Sequence, residues 1–125
     1  MTRILIVEDD KDARDALASF LQRSGHTVEC VSNGREALAA LLKQLPDLVV
    51  LDLRMAEMNG LSFLQTIRSY LRLQSVPIVV WTAMENGESH EQIRKFNVHS
   101  ILTKGKATLD QILAAIHDAL TPKAT

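Results

Sequence analysis

The sequence predicts an α/β protein with a doubly wound, five-stranded parallel sheet and helices on both faces. Short runs rich in Val, Ile and Leu recur about every 20 to 25 residues, and helical patterns separate them. Ile4–Val7 and Leu48–Leu51 lack the polar alternation of a half-exposed strand, as expected for strands covered on both sides. Such alternation of strands and helices indicates a parallel sheet with right-handed crossovers. The predicted strands are Arg3–Val7, Thr27–Val31, Leu48–Leu51, Ile78–Trp81 and Val98–Leu102.

Five helices are predicted in the remaining segments, four of them from apolar residues spaced three and four apart. The apolar stripe of the third helix extends to Leu71. The fourth, from Glu85 to Phe96, has few apolar residues, so we expect it to be the most mobile element. The signals for helix ends are Asp10 (N-cap) and Gly25 (C-terminal end) for the first helix, Asn33, Glu36 and Pro46 for the second, Asn59-Gly60 before the third, and Thr108 with Gln111 at the start of the last.

Length and charge narrow the possible functions. A chain of 125 residues with 46% hydrophobic content is expected to form one domain, which we assign to residues 1–121 with a C-terminal tail at 122–125. Lys and Arg total 14 and Asp and Glu total 15, so no basic field exists to hold nucleic acid or an anionic membrane. No apolar stretch reaches the roughly 20 residues of a spanning helix, and no signal segment opens the chain, so we expect a cytoplasmic protein. The single cysteine, Cys30, is interpreted as a half-buried strand residue.

Three carboxylates follow two of the apolar strands. A five-stranded sheet of this size favours the order 2-1-3-4-5, in which strands 1 and 3 are neighbours and the order reverses between them. Glu8 and Asp9 follow strand 1, and Asp52 follows strand 3. Because ligands of such sheets bind at this reversal, beyond the carboxyl ends of the strands, the three acids are predicted to converge in a binding crevice.

Converging acids need a positive partner. Two unit charges roughly 4 Å apart repel by about 4 kcal/mol at an effective dielectric constant of about 20. Carboxylate oxygens suit Mg²⁺, which commonly uses few protein ligands. Lys104 follows strand 5 and Thr82 follows strand 4, so both could contact an anion at the same edge. Together these groups suit phosphoryl transfer to a carboxylate, although Asp52 or Thr82 taken singly would be an ordinary strand-end residue.

The four histidines show no paired ligand spacing along the chain. Surface or core roles are therefore expected for them in preference to metal binding, and a phosphodonor histidine is expected to come from a partner protein. They are His26, His90, His99 and His117.

Over essentially its whole length the chain resembles the receiver domains of two-component response regulators. As a set, the motifs that carry this resemblance are highly specific, although none would suffice alone. They are Ile4-Leu5-Ile6-Val7-Glu8-Asp9-Asp10, Asp52-Leu53-Arg54-Met55, Asn59-Gly60, Thr82-Ala83 and Lys104.

The resemblance implies that Asp52 accepts a phosphoryl group from a phosphohistidine of a sensor histidine kinase or a histidine phosphotransfer protein. Glu8, Asp9, Asp52 and the backbone carbonyl of Arg54 would hold Mg²⁺. It also implies that the domain is no enzyme beyond catalysing its own phosphorylation and dephosphorylation, and that it switches the binding of a downstream protein.

Two further groups are implied to bind the phosphoryl oxygens. These are the hydroxyl of Thr82 and the backbone N–H of Ala83, while the ammonium of Lys104 would pair with the same oxygens.

Several positions depart from the family's pattern. Gly105 stands where the family usually has a proline in a cis bond after the lysine, and Ile101 replaces the usual Tyr or Phe three residues before it. Ala56 stands where proline is usual, and Asn97-Val98 replaces Gly-Ala, although Asn tolerates the left-handed conformation of a helix end. These departures bear on the conformational change that follows phosphorylation more than on the phosphoryl transfer itself.

They leave open an alternative, a receiver-like adaptor whose phosphorylation-dependent switching is weak or absent. A phosphohydrolase with an aspartate nucleophile is disfavoured, because Arg54 stands where its second acid is needed and 125 residues leave no substrate cap.

Overall fold

A computed structural model describes residues 2–54, 60–83 and 88–121. Its sheet is parallel, with the strand order β2-β1-β3-β4-β5. The elements, in chain order, are β1 (Arg3–Val7), α1 (Lys11–Arg23), β2 (Thr27–Val31), α2 (Gly34–Lys43), β3 (Leu48–Leu51), α3 (Gly60–Arg68), a short 3₁₀ helix (Leu71–Leu73), β4 (Ile78–Thr82), α4 (Glu88–Arg94), β5 (Ser100–Thr103) and α5 (Leu109–Leu120). The predicted fold class and strand order are confirmed. Within the described residues, no helix has both the length and the apolar character needed to cross a membrane.

The central strands bury side chains on both faces, which explains their continuous apolar character. In β1, Leu5 and Val7 belong to one core, while Ile4 and Ile6 belong to the other. The first core lies under α2, α3 and α4, and the second lies under α1 and α5. The edge strand β2 differs, because most of its residues are exposed. Cys30 is one of them, so the half-buried position expected for it is wrong.

Several element boundaries differ from the prediction: β4 ends at Thr82 and not at Trp81, α4 ends at Arg94 and not at Phe96, and β5 ends at Thr103 and not at Leu102. The third helix ends at Arg68, and Leu71 lies in the 3₁₀ helix with 84% of its surface exposed. The Ser69 hydroxyl donates a 2.6 Å hydrogen bond to the Thr66 carbonyl, a local bond that competes with continuation of the helix. The fifth strand begins at Ser100 and not at Val98, after Asn97 adopts a left-handed conformation with φ of 60°.

Most of the predicted capping residues cap the helix ends at which they were expected. The Asn33 side chain accepts a hydrogen bond from the Glu36 amide, and Thr108 forms a reciprocal capping box with Gln111. Gly25 adopts φ of 97° just after α1, as a helix end of this kind requires. Asp10 occupies the N-cap position of α1 but makes no side-chain capping bond.

Arg68, at the end of α3, joins that helix to the turn before β5. Its guanidinium donates to the carbonyls of Phe96 (2.9 Å), Asn97 (3.3 Å) and Leu73 (2.8 Å). The C-terminal ends of α3 and of the α4 segment are therefore tied by one side chain.

Candidate functional site

The three acids converge beyond the carboxyl ends of β1 and β3. These strands pair in parallel with Val7 opposite Leu51, and the Asp52 amide donates a 3.0 Å hydrogen bond to the Val7 carbonyl. One carboxylate oxygen from each of Glu8, Asp9 and Asp52 lies within 4.8 Å of the others. Glu8 and Asp52 are buried, at 1% and 4% exposure, whereas Asp9 is exposed. The structure thus brings together the acids that the sequence placed at this edge.

Lys104 supplies a cation to this cluster. Its ammonium lies 3.2 Å from Asp52 Oδ2 and forms an ion pair with Glu8 Oε1. Its backbone N–H donates a 2.8 Å hydrogen bond to the Thr82 carbonyl, which fixes the chain just past β5 against the end of β4. Among the described residues, Lys104 contacts two of the three carboxylates, and oxygens from all three lie close enough together to hold a divalent cation. The exposed Asp9 leaves the cluster open to solvent on one side.

Burial dominates the electrostatics of Glu8. It raises the pKa of this carboxyl from 4.5 to about 7, although hydrogen bonds from Lys104 and from the Asp10 amide act in the opposite direction. For Lys104, burial acts to lower the pKa, but the hydrogen bond to Glu8 and the charge of Asp52 outweigh it and the pKa is raised. Lys104 is therefore charged at neutral pH, and Glu8 exchanges its proton near neutrality.

The remaining predicted residues surround Asp52. Arg54 donates its backbone N–H to Asp52 Oδ1 at 3.2 Å. Thr82 is fully buried at the end of β4, and the exposed Ala83 follows it directly. The roles of the Arg54 carbonyl, the Thr82 hydroxyl and the Ala83 amide stay predictions. Ala56 and Asn59, which the sequence also singled out, lie outside the described residues, as do residues 122–125.

Two contacts at the site were missed from sequence. The Arg14 guanidinium donates to the Glu8 carbonyl at 3.0 Å. The Trp81 ring centroid lies 5.0 Å from the Lys104 ammonium, within range of a cation–π interaction. The position of Arg14 in the first turns of α1 was the only sequence signal for its contact with Glu8. The contact between Trp81 and Lys104 had a clearer signal, because Trp81 directly precedes Thr82.

Trp81 is the only tryptophan of the chain and is predicted to report on the site. Because its ring faces Lys104, movement of that ammonium toward a bound phosphoryl analogue should change the indole emission. We expect a saturable fluorescence change on adding Mg²⁺ with beryllofluoride. Calorimetry on the same samples provides the control, and a flat fluorescence titration with calorimetrically verified binding would contradict the prediction.

The comparisons with known proteins agree with this geometry. The family described as response regulator receiver domain matches residues 4–117. A 14.6 kDa uncharacterised protein from the sodA1 3′ region of Leptolyngbya boryana is 33% identical over 109 residues, which cover 87% of this chain and 83% of that protein. The transcriptional regulatory protein ZraR of Escherichia coli K12 is 34% identical over 98% of this chain. The match spans only 29% of ZraR.

Solved structures of this fold are also similar. The Vibrio cholerae chemotaxis response regulator CheY4 superposes with a TM-score of 0.88 and 27% identity, covering 96% of this chain and 99% of that chain. The Mn²⁺-bound form of the response regulator Rcp1 has a TM-score of 0.80 and 27% identity, covering 92% and 89%.

The sheet order, the acid cluster with its lysine and the family match together define the class of protein. This chain belongs to the response regulator receiver domains of two-component signal transduction.

Proposed function

We propose that this receiver accepts a phosphoryl group on Asp52 from a phosphohistidine and thereby changes its affinity for another protein. The observation that carries the proposal is the setting of the Asp52 carboxylate. One of its oxygens accepts the Arg54 amide and the other lies 3.2 Å from the Lys104 ammonium. Asp9 and Glu8 lie beside it with oxygens suited to a divalent cation.

The transfer exchanges one bond to phosphorus for another. A carboxylate oxygen of Asp52 attacks the phosphorus, the P–N bond to the donor imidazole breaks, and its electron pair stays on the nitrogen. The product is an acyl phosphate on Asp52 and a free histidine on the partner. This step needs little covalent chemistry from the protein, so positioning and charge stabilisation supply the acceleration.

Mg²⁺ fits the donor set, because among the described residues three carboxylates offer hard oxygens that lie within 4.8 Å of one another. Glu8, Asp9, Asp52 and the Arg54 carbonyl would hold it. A bound divalent cation supplies neutralisation of the charge that develops on the phosphoryl oxygens. The similarity to Rcp1, whose structure holds Mn²⁺, supports the binding of a divalent cation by this fold.

The protein's own groups would orient the phosphoryl group. The Thr82 hydroxyl and the Ala83 N–H lie at the end of β4 and can donate to its oxygens. Lys104, now paired with Glu8 and Asp52, can turn its ammonium toward the new negative charge. The domain would catalyse only its own phosphorylation and dephosphorylation.

The donor would be a sensor histidine kinase or a histidine phosphotransfer protein, and the output would be binding to a downstream protein. Neither nucleic acid nor membrane is expected as a direct partner, because the net charge is −1. A cytoplasmic location is part of this proposal, in keeping with the family. We assign the receiver to residues 1–121 and a short tail to 122–125.

Phosphorylation of Asp52 is tested by intact mass after incubation with Mg²⁺ and acetyl phosphate. The wild-type protein should gain one phosphoryl group, and Asp52→Asn should gain none, because the amide cannot form the acyl phosphate. Asp47→Asn is the matched control, since Asp47 is an exposed carboxylate just ahead of the same strand. No gain in the wild type, or an unchanged gain in Asp52→Asn, would contradict the proposal.

The second candidate is a receiver-like adaptor that binds its partner without switching. Ile101 favours it, because this half-buried residue packs into the core under α3 and α4 and has no aromatic ring to rotate. Gly105 also favours it, since the bond after Lys104 is trans and Gly105 adopts φ of 84°. Amide spectra recorded with and without Mg²⁺ and beryllofluoride separate the two candidates. Shifts that reach α4 and β5 refute the adaptor, and shifts confined to the acid cluster support it.

A further inference from the structure

His26 and His117 lie 91 positions apart in sequence, yet their imidazole rings meet on the surface of the fold. Their Nε2 atoms are 3.2 Å apart, and the ring centroids are 5.4 Å apart with planes tilted by 55°. His26 is half-buried and His117 is exposed, so solvent reaches the pair. Sequence spacing gave no indication of this contact.

Both histidines lie on backbone that is fixed by hydrogen bonds. His26 lies in the turn between α1 and β2, where its N–H donates to the Leu21 carbonyl at 3.1 Å. His117 lies in the last turn of α5, and its carbonyl accepts hydrogen bonds from both the amide and the hydroxyl of Thr121. The core beneath α1 and α5 packs these two helices together. Little ordering is therefore needed to present two ring nitrogens at once.

We propose that His26 and His117 form a binding site for a divalent transition metal ion of the Zn²⁺ or Cu²⁺ class, which links the α1–β2 turn to α5. Imidazole nitrogen is a preferred ligand of these ions. Two Zn–N bonds of about 2.0–2.1 Å at a tetrahedral angle place their nitrogens roughly 3.3–3.4 Å apart. The observed separation of 3.2 Å is close to that value.

Metal binding would replace the present imidazole–imidazole hydrogen bond. The ring that donates from Nε2 shifts its proton to Nδ1, and both Nε2 lone pairs then bind the ion, with no change in total protons when both rings are neutral. Water would complete the coordination in the isolated protein, so the site is open and exchangeable.

This site is separate from the acid cluster. His26 directly precedes Thr27, which pairs with Arg3 at the first residue of β1, whereas Glu8 follows the last residue of that strand. Five residues of strand separate the two ends by about 16 Å. The proposal is independent of phosphorylation at Asp52.

The test is calorimetric titration with Zn²⁺ in the presence of excess Mg²⁺, which is added to compete with Zn²⁺ for the acid cluster. We expect one Zn²⁺ per chain and a loss of affinity of at least about tenfold in His26→Gln and in His117→Gln. His99→Gln is the matched control, because His99 is an exposed histidine paired with Asp118 and not with a second imidazole. Unchanged affinity in either pair variant, or an equal loss in the control, overturns the proposal.

Electron paramagnetic resonance of the Cu²⁺-loaded wild-type protein provides a second measurement that does not depend on the folding of any variant. Hyperfine splitting from two imidazole nitrogens supports the site. A spectrum with oxygen ligands alone places the ion at the acid cluster and overturns the proposal, leaving His26 and His117 as a hydrogen-bonded pair.

Discussion

Replacing Lys104 by Met is expected to destabilise the metal-free protein by about 2 to 3 kcal/mol at pH 8. Removing one partner of a buried ion pair costs roughly 3–5 kcal/mol, and the 20% exposure of the Lys104 side chain reduces this value. The same change should slow phosphorylation by acetyl phosphate about 10²- to 10³-fold, since it removes a preorganised positive charge from the proposed transfer site. Urea unfolding with a chelator and timed intact mass measure the two effects.

The destabilisation should depend on pH. The pKa of Glu8 is raised from 4.5 to about 7 in the folded state, so the stability that Glu8 contributes is fully present below pH 4.5 and is lost as pH rises through 7. Without Lys104 the folded pKa rises further, which deepens the loss at pH 8. At pH 5 Glu8 is protonated in both proteins, so the contact with Asp52 is the only ion pair that the substitution removes, and the difference should fall to about 1 kcal/mol.

Lys43→Met is the control for the loss of one positive charge, because Lys43 is exposed at the end of α2. It should change the free energy of unfolding by no more than about 0.5 kcal/mol. Equal losses for Lys104→Met at pH 5 and pH 8 would show that the ion pair with Glu8 does not carry the effect.

Replacing Gly60 by Ala is expected to destabilise the protein by about 3 kcal/mol, the upper end of the usual cost of overpacking. A Cβ atom at Gly60 would lie 2.6 Å from Leu53 Cα and 2.7 Å from Leu53 Cδ2. Leu53 Cα is a backbone atom, and the Gly60 N–H also donates to the Leu53 carbonyl at 2.9 Å. The backbones of Leu53 and Gly60 therefore cannot easily move apart to make room for the added Cβ. Urea unfolding gives the change in free energy.

Because Leu53 follows Asp52 directly, the same substitution should also lower the extent of phosphorylation. Gly25→Ala separates steric overlap from backbone strain, since a Cβ there meets nothing within 4 Å but φ is 97°. It should cost about 1–2 kcal/mol and leave phosphorylation unchanged. A decrease of less than about 1 kcal/mol in the free energy of unfolding of Gly60→Ala would contradict the prediction, because it would mean that the Leu53 backbone shifts easily to accommodate the added Cβ.

The sequence predicted the elements whose determinants are local. The bounds of β1, β2 and β3 agree with the prediction, because a charged residue or a turn signal follows each of these runs of strand-forming residues. The convergence of Glu8, Asp9 and Asp52 followed from topology, since parallel strands place their carboxyl ends at one edge of the sheet.

The features missed depend on which side chains meet after folding. Arg14 contacts the Glu8 carbonyl, and His26 meets His117, through the packing of helices on the sheet. Leu71 satisfied the helical period but is exposed, because the chain leaves the helix at Ser69 before that position is reached. The spacing of apolar residues predicts which face of a helix is buried. It does not predict where a side-chain hydrogen bond ends the helix.

The three hydrogen bonds of Arg68 have a consequence for how a signal could travel. All three acceptors are neutral backbone carbonyls, so the tie between α3 and the turn before β5 has no titratable acceptor. A change of charge at the acid cluster leaves these acceptors unaltered. Any displacement of the turn before β5 must therefore carry the end of α3 with it or break the two bonds to Phe96 and Asn97, and changes in the charge of the acid cluster do not weaken this connection.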